Sequence, residues 1–261
     1  DTMPADVSKY FVIVAEEDGK FENVTDRAAS MAGRPGRFYL YEKTFYQPSP
    51  WYAGGPYVDL LTHGVTDKFM EITMQGYEKT FGGDLKGNVK GVFTDEPEIV
   101  SPGGVRWTPD LFDVFRSEYG YDLSDCLPQL HEEIGDWRKV RHDYFQLLNR
   151  LFVERWARPW YDYCAGKGIS WTGHYWEHNW PLVTGVTDNM SMAAWQQVPG
   201  IDMLFNQFNE KSTGAQFGNI RSVKEVRSVA NQLGRRRVLS ETYGGGGWNV
   251  TFKDMKRLCD W

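Results

Sequence analysis

The stretch Gly91-Val92-Phe93-Thr94-Asp95-Glu96-Pro97-Glu98 decides how this chain is read. Val89 to Thr94 has the apolar, β-branched character of a short buried strand. Three carboxylates follow within four residues, and Pro97 stops the strand. Burying unpaired carboxylates is costly, so this is poor core design. It is reasonable design for the C-terminal end of a strand in a parallel α/β barrel, where catalytic groups collect. An isolated acidic turn is otherwise a helix cap. The rest of the chain decides between the two.

Downstream, two further strands end in similar clusters. Ile169 to His174 runs into Tyr175-Trp176-Glu177-His178-Asn179-Trp180. Arg237 to Glu241 runs into Tyr243, four glycines and Trp248. A fourth strand candidate, Ile201 to Phe205, carries Asp202, which suits either a barrel mouth or a helix cap. Upstream, Tyr10 to Ala15 reads as a strand closed by an Asp18-Gly19 turn, and Phe38 to Tyr41 as another. Residues 21–36 carry no clear pattern and read as a loop. Thr44 to Pro56 is a long, aromatic, Pro- and Gly-rich loop of the kind that often carries function.

Helical periodicity is expected over Thr66 to Phe81, with Phe69, Ile72, Thr73, Gly76, Tyr77 and Thr80 on one stripe. It recurs over Pro109 to Tyr119, Leu123 to His131, Trp137 to Ala165 (kinked or divided at Pro159) and Ser222 to Leu233, and from Thr251 onward. Five strands, near residues 39, 92, 171, 203 and 239, thus alternate with helices, which predicts a parallel sheet of βα units. Catalytic groups at several strand ends favour a (β/α)8 TIM barrel. A doubly wound sheet is the alternative, but no Gly-rich phosphate loop follows the first strand. Five strands are too few for eight, so the barrel reads as incomplete.

The net charge of −6 points away from nucleic acid and from an anionic membrane surface. No apolar run is long enough to span a bilayer. Cys126, Cys164 and Cys259 are widely spaced and odd in number, which fits neither a disulfide framework nor a zinc site and favours a reducing compartment. The chain holds 11 Trp, 14 Tyr and 15 Phe. Aromatic faces beside hydrogen-bonding side chains match the mixed surface of a sugar, although a Trp-rich core would give the same composition.

Two carboxylates flanking a glycosidic bond are the minimum apparatus for hydrolysing it. Asp95 beside Glu96 supplies the neighbouring negative charge that raises an acid's pKa. A metal site built on His174, Glu177 and His178 is the rival reading, but the spacing is not HExxH, so no metal ligand is assigned. Calcium coordination by the acidic groups has no EF-hand loop behind it.

Taken in order, FTDEPE, the long-helix segment RHDYFQLL, WTGHYWE, PGIDML and LSETYG, followed by a helix ending CDW, resemble a known group. They are similar to the catalytic (β/α)8 barrel of glycoside hydrolase family 106, the α-L-rhamnosidases, and to related family 2-like bacterial proteins. The resemblance covers residues 37–261 and implies that strands three to seven are present. Residues 1–36 would then be an insertion or accessory β segment, and the missing barrel units and accessory domains would belong to a longer chain. It implies glycosidic-bond hydrolysis on an oligosaccharide or polysaccharide, with Glu96 as general acid. The second carboxylate would be Glu241, with Glu177 as competitor. Asp95, His174, Trp176, Trp180, Asp202, Tyr243 and Trp248 would line the sugar subsites. Two other functions fit the same residues: a non-catalytic carbohydrate-binding protein and a metal-dependent hydrolase.

Overall fold

A computed structural model describes residues 2–177, 182, 185–204 and 213–260. In chain order the strands are β1 Val12–Glu17, β2 Lys20–Asn23, β3 Arg37–Tyr41, β4 Gly91–Asp95, β5 Ser170–His174, β6 Gly200–Met203 and β7 Leu239–Thr242. The first helices are α1 Val65–Thr80, α2 Leu85–Asn88, α3 Leu111–Tyr119, α4 Leu123–Cys126 and α5 Trp137–Phe152. They are followed by α6 Arg158–Lys167, α7 Asn189–Ala193, α8 Thr213–Gln232 and α9 Phe252–Asp260. The chain divides into two compact units, Asp1–Asp59 with Ser101–Leu148, and Leu60–Val100 with Asn149–Trp261. Among the described residues, no helix is long and apolar enough to cross a membrane.

The first unit is built on an antiparallel sheet in the order β2-β1-β3. Asp18 and Gly19 both adopt positive φ (51° and 75°), the turn chemistry that joins a tight hairpin. Thr25 Oγ1 accepts the Ile13 N–H at 2.9 Å and ties the following 3-10 turn, Thr25–Met31, to the sheet. Met3, Ile13, Val24 and Ala28 form the core beneath it. Two expectations are corrected here. Residues 21–36 are not a plain loop, because they contain β2 and this turn. The strand near residue 39 is not a stave of a parallel sheet, because β3 pairs antiparallel with β1. The boundary expected between residues 36 and 37 therefore cuts through one hydrogen-bonded sheet. Alternation marks a strand but not the direction of its partner.

The second unit holds the parallel strands. β4 pairs with β5, placing Asp95 opposite His174, and β6 pairs with β7, placing Asp202 opposite Glu241. Gln196 links the pairs: its Nε2 donates to Gly173 O at 3.1 Å and its Oε1 accepts Gly200 N–H at 3.0 Å. Glycine is required at this join. A Cβ on Gly200 would overlap the Gly173 carbonyl, and one on Gly173, at φ 140°, would overlap the Thr94 carbonyl. Pro159 does not divide the long helix as a gap; a π turn over Val153–Ala157 absorbs its missing N–H between α5 and α6.

Part of the Trp content is core: Trp156, Trp160 and Trp171 are buried. Trp160 and Trp171 stack at 6.1 Å with Trp156 edge-on to Trp160, and Trp171 Nε1 donates to Thr94 Oγ1 at 3.0 Å. In α1 the buried side is Thr66, Met70 and Met74. Phe69, Ile72 and Tyr77, expected on the inner stripe, are exposed. The α9 N-terminus is capped as expected: Thr251 Oγ1 accepts Asp254 N–H, and Asp254 Oδ2 accepts Thr251 N–H.

Candidate active site

The C-terminal ends of β4, β5, β6 and β7 bring together Asp95, Glu96, Glu177, Asp202 and Glu241. His174, only 1% exposed, sits among them. Its Nε2 lies 2.9 Å from Glu241 Oε2 and 3.7 Å from Asp95 Oδ1, so one imidazole meets carboxylates from β7 and β4. The edge of Phe93 packs on its ring at 5.3 Å. Burial pulls the imidazole's pKa down, but the Glu241 hydrogen bond and the Glu177, Asp202 and Asp95 charges outweigh it, and the net shift is upward. His174 therefore holds a proton more firmly than a free imidazole, with Nε2 at hydrogen-bond distance from Glu241.

Glu96 follows β4 directly. Its N–H donates to His174 O at 3.2 Å, continuing the ladder one residue past the strand. Its φ is then +45°, in the left-handed region that side chains rarely adopt. Tyr243 repeats the arrangement after β7, with its N–H on Met203 O at 3.2 Å and φ +77°. Strained backbone held by its surroundings at two strand ends is the pattern found where side chains are aimed for a task. Burial raises the Glu96 pKa to about 7; His174 pulls it down, while Asp95, Asp202 and Glu98 push it up. Glu96 is thus a carboxyl poised to hold a proton near neutrality, as a general acid must.

Glu177 stands apart from these groups in kind. It is buried, and its two oxygens accept the backbone N–H groups of Tyr175 and Asp202. Arg221 donates to its backbone carbonyl. Burial raises its pKa to about 7 as well. With both oxygens committed to backbone donors, this carboxyl joins the turn after β5 to β6. Asp202 is buried beside it with its pKa raised, chiefly by burial. Among the described residues nothing hydrogen-bonds Asp202 Oδ1 or His174 Nδ1, and both atoms are buried.

The sequence-derived site residues separate accordingly. Asp95, Glu96, His174, Asp202 and Glu241 come together. Tyr243 directs its hydroxyl to Met255 O at 3.1 Å and packs on the Ile201, Met203, Val226 and Leu258 cluster, so it braces α9. Trp248 is fully exposed in the loop after β7, and Trp176 is half-buried in the turn after β5. Trp180 and His178 lie outside the described residues, and with His178 the rival metal-site reading. Asp95, Glu96 and His174 each present a ligand atom within 4.8 Å of the others. Two carboxylate oxygens there suit a hard cation, but His174 Nε2 is already engaged with Glu241.

The family profile of alpha-L-rhamnosidases, glycoside hydrolase 106, matches residues 41–261. The chain belongs to this family. A rhamnosidase from Novosphingobium sp. PP1Y has a similar fold, with a TM-score of 0.64 and 22% identity over 95% of this chain. The match covers 25% of that protein, so the present chain spans about a quarter of its length. No curated protein sequence matches the chain.

Proposed function

We propose that this family member supplies the carboxylate apparatus of an α-L-rhamnoside hydrolase acting on an oligosaccharide or polysaccharide side chain. The observation that carries the reading is the shared imidazole. Glu96, a carboxyl with its pKa raised to about 7, follows β4 within reach of His174, and Glu241 on β7 is hydrogen-bonded to that same ring. Glu96 donates the proton to the leaving oxygen. Glu241 acts from the other strand as base or nucleophile, held in place by His174. Asp202 and Asp95 sustain the local negative charge that helps Glu96 keep its proton.

The same reading places the four parallel strands as consecutive staves of a (β/α)8 barrel. The exposed apolar face of α1 supports it, as does the pairing of β4 with β5 alone among the described residues. Both features suit burial against further βα units.

Turnover of 4-nitrophenyl α-L-rhamnopyranoside by the full-length protein tests the assignment. Glu241→Gln should abolish most of it, and kcat/KM of the wild type should fall above about pH 7 as Glu96 loses its proton. A protein that binds the sugar but shows no turnover at any pH is the non-catalytic alternative. Glu177→Gln separates the two candidate partners of Glu96. The amide leaves one backbone N–H without an acceptor, so it should cost about 1–3 kcal/mol of stability. Its kcat, measured below the lowered melting temperature, should stay within about tenfold of wild type. A loss as deep as that of Glu241→Gln transfers the role to Glu177.

A further inference from the structure

We infer that the Ser49–Gly55 loop of the first unit is a sugar-stacking platform, with the indole of Trp51 as its face. Trp51 is 80% exposed, an unusual state for the largest apolar side chain. The loop that carries it is closed on itself. Ser49 N–H donates to Gly55 O and Gly54 N–H to Ser49 O, at 3.0 and 2.9 Å. Tyr52, Ala53 and Gly55 donate within the same seven residues, and Ser49 Oγ accepts Trp51 N–H. Pro50 stiffens the turn, and Ala53 and Gly54 take left-handed φ of 54° and 83° to close it. The backbone is therefore fixed while the indole faces solvent. Such order costs conformational entropy that the exposed ring does not recover in the chain alone.

The surroundings specify the occupant. Thr44 to Val58 contains no charged residue, in a chain that is 25% charged. Tyr57 packs against Tyr52 and Tyr46 at 4.8 and 5.4 Å between ring centres, and the Tyr46 hydroxyl accepts from Arg106. Arg106, itself buried, also pairs with Asp59. A neutral, aromatic, ordered loop matches a pyranose, whose C–H face stacks on indole. An anionic ligand would find no charged partner on the loop itself. A Cβ on Gly54 would meet nothing within 4 Å, so the loop is open to solvent at that point.

The inference deepens the glycoside hydrolase reading and rests on it for the class of ligand. The platform holds a pyranose of a polysaccharide by stacking.

Full-length wild type, Trp51→Ala and Trp51→Phe are compared in two assays. Affinity electrophoresis through gels containing gum arabic, a rhamnose-bearing polysaccharide, reads binding without turnover. Turnover of 4-nitrophenyl α-L-rhamnopyranoside reads the chemistry. Wild type should be retarded, Trp51→Ala should lose at least about fivefold in affinity, and Trp51→Phe should keep part of it. Aryl rhamnoside turnover should be unchanged in both variants. Equal retardation of Trp51→Ala and wild type overturns the platform, as does a wild type that is not retarded. A Trp51-dependent retardation with no aryl rhamnoside turnover keeps the platform and removes the hydrolase reading.

Discussion

Replacing Glu96 with glutamine is expected to lower kcat on an aryl α-L-rhamnoside by about 10²–10⁴-fold, the usual contribution of a positioned general acid. Glutamine keeps the shape of the side chain and removes only the proton. The backbone at this position, φ +45° with its N–H on His174 O, is set by the β4–β5 ladder and should survive the change. The same substitution has a second readout. The folded-state pKa of Glu96 is raised from 4.5 to about 7, so between those values the folded chain keeps a proton that the unfolded chain releases. The stability linked to that proton is complete below about pH 4.5 and is lost as pH rises through about 7. Glu96→Gln should therefore melt higher than wild type at pH 8 and close to it at pH 4. A variant that loses turnover while gaining stability at high pH is the expected signature of a group held for chemistry.

Gly173→Ala is expected to destabilise the second unit on the order of 3 kcal/mol, the upper end of ordinary overpacking costs. Its Cβ would overlap the Thr94 carbonyl, and its φ of 140° is closed to other residues. Thr94 belongs to the β4–β5 ladder, so neither strand can yield without moving Asp95 against His174. Gly166→Ala is the natural control. That glycine lies in α6 with nothing near its Cβ position, and alanine there should be neutral or stabilise by about 0.5–1 kcal/mol. Urea denaturation of the two variants measures the contrast. Equal midpoints would mean that the close approach of these strands is not a constraint.

The strand ends were legible because β4, β5 and β7 each finish an apolar run in acids or aromatics. Asp95, Glu96, His174 and Glu241 could be picked out on that ground alone, and Asp202 by its place at the end of a fourth strand. Their convergence follows from parallel register, which sequence alternation implies only if the direction of pairing is known. The same ambiguity placed β3 in the wrong sheet. Tyr243 was read as a sugar contact because an aromatic after a strand end serves equally to stack on a sugar or to brace a following helix. The helix here, α9, takes its hydroxyl. The α1 stripe failed for a related reason: Phe69, Ile72 and Tyr77 are apolar, yet Met70 and Met74 face the core. Glu177 carried no sequence signal that separates a backbone latch from a catalytic base. The two differ only in what the carboxylate oxygens touch. The left-handed backbone at Glu96 and Tyr243 was equally hidden, since neither is glycine.

The role of Glu96 as proton donor is tested most directly by leaving-group dependence. Wild type and Glu96→Gln are assayed on aryl α-L-rhamnopyranosides that differ only in the acidity of the released phenol. The deficit of Glu96→Gln should be small for the 2,4-dinitrophenyl compound, whose phenolate departs without a proton. It should grow steeply toward the 4-methoxyphenyl compound, which needs one. An equal deficit on both substrates, or none on either, contradicts the assignment of Glu96 as the acid.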